Sequence, residues 1–352
     1  MMPRLVAAAA AIVLQSLFGT LLMPGHAAPG AAAQSAAPAW TPLEAAGPAA
    51  RWDHTLAADP ESGALILFGG RDGAGEAFGD TWRYAAADGS WTPVEGPAPA
   101  PRFGQAVAVD AANRAVYLFG GQAGPDFFND AWRFDLDELT WSEIPTGDVR
   151  PSPRYGTSAV LDNDGNVLVS HGFTFEGRFD DTWSLDPATG VWTDVSPPAE
   201  TRPLKRCLHE AVWDAAADRM LLYGGCSSGF GPCPQGDLWA FDPAAQTWTE
   251  LTPAAGPAAR SNPALIQDET SARTWLIDGL TEGGYTADLW MLDLAAGGAA
   301  PGWVEVSPVD VAPAPRASHD AALLDGDVYL FGGFGPEGAL ADFWRLESAE
   351  GA

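Results

Sequence analysis

Short apolar runs that stop on a pair of small residues punctuate the chain. "ALILFGG" (64–70), "AVYLFGG" (115–121), "MLLYGG" (220–225) and "VYLFGG" (328–333) share this form. Runs this short, rich in β-branched and aromatic residues and bounded by turn formers, predict buried strands rather than helices. Past each glycine pair the pattern changes to alternation, as in "TWRYA" (81–85) and "SWTPV" (90–94), which predicts strands with one covered face. Turn-rich pieces such as "DPESG" and "AADGS" separate the runs. In the first unit the expected strands lie at about 52–58, 64–69, 80–84 and 90–94.

Aligned on the glycine pair, the chain resolves into six units about 50 residues long. The pairs or their remnants are Gly69–Gly70, Gly120–Gly121, His171–Gly172, Gly224–Gly225, Asp278–Gly279 and Gly332–Gly333. Each is followed by Asp-x-Trp: Asp80/Trp82, Asp130/Trp132, Asp181/Trp183, Asp237/Trp239, Asp288/Trp290 and Asp342/Trp344. Five units carry a second tryptophan (Trp91, Trp141, Trp192, Trp248, Trp303), and each opens with an arginine: Arg51, Arg102, Arg154, Arg206, Arg260, Arg316. This period and signature resemble the kelch repeat, in its secreted bacterial, galactose-oxidase-central-domain-like form. The resemblance implies an all-β, six-bladed propeller of four-stranded blades. The sixth unit lacks its final tryptophan strand, whereas "AWTPLEAAGPAAR" (39–51) parallels "SWTPVEGPAPAPR" (90–102). The N-terminal strand around Trp40 is therefore expected to finish the last blade and remove an open edge. Tryptophans are expected to fill the wide outer part of the blades, and the glycines to sit where the second strand ends near a crowded axis.

Composition narrows the partners. A formal net charge of −28 with a single lysine, Lys205, argues against nucleic acid. Residues 1–28 read as a signal peptide, with Arg4 ahead of an apolar run and small residues after it. An Ala-rich linker (29–38) and one propeller domain (39–348) follow. The mature chain is expected to be secreted or periplasmic, free of the membrane once the leader is cleaved, and a monomer. Oxidising surroundings favour a disulfide. Cys226 and Cys233 flank "SSGFGP" and form the preferred pair, with Cys207–Cys226 the competitor.

Antiparallel order places the arginines, the segments after the glycine pairs and the inter-blade links on one face, and short acidic hairpins on the other. A ligand is expected on the first face, where the loops are longer and carry aromatics. His171 and Asp278 break the glycine pair and are expected near the axis, with Phe175 and Phe230 as apolar contacts and Arg71 and Arg178 just outside. The residue three after each arginine (His54, Gln105, Thr157, His209, Pro263, His319) varies as well. The six arginines read as structural, each bonded to a carboxylate or carbonyl, rather than as an anion site. No catalytic residue, metal or cofactor is assigned: the Tyr/Cys set of the copper oxidases of this fold and a Glu-x-x-x-Asp-x-x-x-His iron motif are both missing. The expected function is an interaction module for a glycan or protein. A carbohydrate-active enzyme is the alternative, such as a sialic-acid epimerase working with Arg and Glu in the axial funnel.

Overall fold

A computed structural model describes residues 38–294, 301–308 and 311–347. Six four-stranded antiparallel sheets are arranged as blades. In the first, Thr55–Asp59, Ala64–Phe68, Thr81–Ala85 and Ser90–Val94 pair in chain order. The expected first strand begins three residues late, because Asp53 takes a left-handed φ of 53° and detaches Trp52 from the ladder. The sixth blade pairs Asp320–Leu324, Asp327–Phe331 and Phe343–Glu347, and Ala39–Pro42 completes it. Trp40 stands opposite Leu346, and Pro42 opposite Trp344. The closure read from the repeat is thus the closure observed, and the sixth blade has its full four strands rather than an unfinished edge. The leader and most of the Ala-rich linker lie outside the described residues.

The first strand of every unit is innermost, and these six strands surround the axis. Hydrophobic clusters form between neighbouring blades, not within one. The outer-strand tryptophans drive this packing. Trp141 meets Phe68 of the preceding blade at 5.1 Å between ring centroids, Trp192 meets Phe119 at 5.0 Å, and Trp91 meets Phe331 at 5.7 Å. Each such ring removes a large apolar area from water, worth roughly 1.5–3 kcal/mol.

The glycine pairs do not face the axis, which corrects the expectation above. They end the second strand, one layer out, and press on the next blade. A Cβ on Gly69 would come within 2.6 Å of the Arg102 carbonyl oxygen, and φ there is +67°. The amide of Gly70 donates to that same carbonyl at 2.9 Å. At Gly69 glycine permits this close approach between blades together with the left-handed turn, which blades three and five make instead with His171 and Asp278 at φ 59° and 54°.

Candidate functional site

The six arginines are entirely or almost entirely buried. Arg51 forks onto Asp80 (2.7 and 2.9 Å), donates to the Gly69 carbonyl (2.9 Å), and sends Nε to the Ala49 carbonyl (3.0 Å). Trp82 Nε1 donates to the same carboxylate at 2.7 Å. The joint repeats at Arg102–Asp130, Arg154–Asp181, Arg206–Asp237, Arg260–Asp288 and Arg316–Asp342. Hydrogen bonds from the guanidinium and the indole outweigh the cost of burial and hold these carboxyls below their ordinary range. Of the loop aromatics, Phe78, Phe128 and Phe179 lie over Arg51, Arg102 and Arg154 at 4.1–4.2 Å. With every guanidinium engaged in this way, the arginines serve as structure.

The remaining loop aromatics separate into packed and open ones. Phe175 is 69 % exposed and Phe230 52 %. Phe175 meets Phe127 edge-on at 4.9 Å and Phe173 at 6.3 Å, so the rings of blades two and three form one cluster. Phe230 sits on the loop of blade four, which the Cys226–Cys233 disulfide closes while Cys207 stays free and buried. Arg178 ties blade three to that loop by donating to the carbonyls of Cys226 (3.0 Å) and Ser228 (2.7 Å). Exposed Leu204 and the Lys205 ammonium, 5.6 Å from the Phe230 ring, border the same area. Arg71 lies apart: it pairs with Asp53 (2.7 Å) and stacks between Trp52 and Phe103.

His171 and Asp278 are not brought together, and neither lines the channel. Their burial has a local cause. Four units place a bulky aromatic before the glycine pair; blade three has Ser170 and blade five Ile277. The His171 ring fills the vacated volume, 5.9 Å from Trp248 of the next blade, with Nδ1 2.5 Å from Ser170 Oγ. Burial and the neighbouring His209 and Arg206 push its pKa well below the usual value. Asp278 sits beside Ile277 and Trp40 at the blade five–six junction, 3.9 Å from Arg316, with Oδ2 lacking a hydrogen bond. Burial drives its carboxyl pKa well up.

Along the axis runs a channel of about 710 Å³. At the looped face it narrows to a ring in which six amides donate to six carbonyls in a closed circle. Asp53 donates to Ser318, Ser318 to Asn262, Asn262 to Leu208, Leu208 to Gly156, Gly156 to Gly104, and Gly104 back to Asp53, all at 2.8–3.0 Å. Every member has φ between 50° and 62° and stands two residues after its arginine. The channel reaches the opposite face among the hairpin turns, at Pro60, Asn163 and Glu269. Near the ring it carries Glu210 and Asp320, both missed in the sequence. They occupy the position four after the arginine, where the other units have Thr55, Ala106, Ser158 and Ala264. That column, beside the histidine column, was the available signal. Among the described residues no group of three or more His, Cys, Asp or Glu is placed to hold a metal ion.

Six blades joined by buried Arg–Asp–Trp units define a kelch-type propeller. The family described as the KLHDC2/KLHL20/DRC7 Kelch-repeats domain matches residues 34–225 and 197–351, and the chain belongs to it. It is 26 % identical over 302 residues to multiple epidermal growth factor-like domains protein 8 of Homo sapiens, covering 80 % of this chain and 10 % of that protein. It is also 30 % identical over 184 residues to host cell factor 1 of Rattus norvegicus, covering 46 % and 9 %. An F-box/kelch-repeat protein of Arabidopsis thaliana is 29 % identical over 196 residues, covering 47 % and 41 %. The chain thus spans about a tenth of the first two proteins and two fifths of the third.

Proposed function

We propose that this propeller is an exported, monomeric interaction module that takes its partner, a protein or a glycan, on the looped face of blades two to four. The observation that carries this reading is the open aromatic area of Phe175 and Phe230 with Leu204, bordered by Lys205, in a chain of net charge −28. Exposed aromatics that share an area with a cation are what docking surfaces and sugar-ring platforms use. The epimerase alternative is less well supported: no arginine or lysine lines the channel, and the repeated arginines are all committed to Asp-x-Trp joints. The test is an array of glycans and extracellular proteins probed with wild type, Phe175→Ser/Phe230→Ser, and the opposite-face Asp164→Ala. Binding is expected to vanish in the double variant, whose unfolding free energy should stay within about 0.5 kcal/mol of wild type. Binding lost in Asp164→Ala and kept in the double variant would overturn the choice of face.

A further inference from the structure

The axial channel is separate from the looped-face aromatics. Its volume of about 710 Å³ lies within the range of small-molecule pockets. Six carboxylates line it (Asp53, Asp162, Glu210, Asp268, Glu269, Asp320) with no lysine or arginine among the lining residues. Most of these charges are already satisfied. Asp53 accepts from Arg71 and from the Tyr155 hydroxyl, and Asp320 accepts from the amides of Leu56 (2.6 Å) and Ala321 (2.8 Å). Asp162 and Asp268 bond within their own hairpin turns, and Glu269 lies exposed at the mouth. Glu210 differs. It stands near the constricted end, only partly covered, and among the described residues no cation or donor reaches its carboxylate.

We propose that the channel binds a small organic cation, a primary ammonium or guanidinium on an apolar body, with its charged head at Glu210. A carboxylate removed from bulk water without a partner is costly, and a bound cation offsets that cost. Burial, and after it the nearby carboxylates of Asp320 and Asp53, push the Glu210 pKa well above the ordinary range until a cation arrives. Farther from the ring the wall is apolar, with Ala58, Val107, Leu161, Leu265 and Leu323 facing the space. This order, an anionic end and then an apolar barrel, selects a cation with a hydrocarbon tail over an inorganic ion.

The experiment is calorimetric titration of the purified protein with 2-phenylethylammonium and with the neutral 2-phenylethanol. Wild type is expected to bind the ammonium saturably with one site, and the alcohol at least about tenfold more weakly. Glu210→Gln should weaken the ammonium at least about tenfold, and Glu269→Gln, at the mouth, less than about twofold. Glu210→Gln keeps the volume and removes an unpartnered charge, so its unfolding midpoint should match or exceed that of wild type. Equal binding of ammonium and alcohol by wild type would overturn the proposal, and that comparison needs no variant. Absence of saturable binding, undiminished affinity in Glu210→Gln, or displacement of the ammonium by millimolar calcium would also overturn it.

Discussion

Blades two and five rest on the same Arg–Asp–Trp joint yet end their second strands differently. In blade two, Phe119 fills the interface and Gly120 makes the left-handed turn. In blade five a smaller Ile277 is followed by Asp278, held at φ 54° with one carboxylate oxygen lacking a hydrogen bond. The joint itself barely changes: Arg102 reaches Asp130 at 2.6 and 2.9 Å, and Arg260 reaches Asp288 at 2.7 and 2.8 Å. Stability is anchored in the joint, and the turn beside it has room to drift.

Breaking the joint should therefore hurt both blades alike. Arg102→Lys and Arg260→Lys each lose the two-pronged contact and leave a carboxylate short of donors, for an expected cost of about 3–5 kcal/mol in either blade. Chemical denaturation checks this, and a cost confined to one blade would show that the joint is not the shared anchor. A smaller effect tests the drift. In blade three, His171→Gly should leave a void and Ser170→Phe should overpack against the histidine, whereas the double change rebuilds the aromatic–glycine ending of blade two. A double-mutant cycle should give a favourable coupling of about 1–3 kcal/mol, and strict additivity would contradict the space-filling account.

The smallest effect concerns the blade five ending itself. Asp278→Gly removes a left-handed non-glycine residue and a buried carboxylate, so a gain of about 1–2 kcal/mol at neutral pH is expected. The sign of its pH dependence is fixed. The folded protein raises this pKa, so Asp278 is tolerated when protonated, and stability is lost as pH rises from the unfolded value through the folded one. The gain from Asp278→Gly should accordingly be larger at pH 8 than at pH 4. Unfolding free energies at the two pH values decide it, and a gain that shrinks toward pH 8 would refute the buried-carboxylate explanation.

The fold was open to reading because its constraints recur in register. Six arginines, six Asp-x-Trp motifs and the displaced Trp40 strand mark the columns, and in-phase columns define blades. Radial position was not written there: strand periodicity tells which residues share a face, not which strand lies nearest the axis, so the glycine pairs were placed one layer too far in. His171 and Asp278 looked like chemistry because each column was read alone. Their meaning lies across two columns, where a shrunken neighbour at Ser170 or Ile277 makes room for a larger side chain at the turn. Glu210 and Asp320 were passed over for the converse reason. A carboxylate among Thr, Ala and Ser looks unremarkable until the strands are seen to encircle a channel.

The pairing of Ala39 with Glu347 has a mechanical consequence. In an antiparallel pair the chain enters and leaves at the same end, so the two points of attachment to any flanking polypeptide lie one strand spacing apart, about 5 Å. A host protein can receive such a body in a surface loop without opening its own framework. A pull on both attachment points loads this last ladder rung by rung, like a zipper, rather than all rungs together in shear. The seam that makes the ring continuous is also where tension enters it.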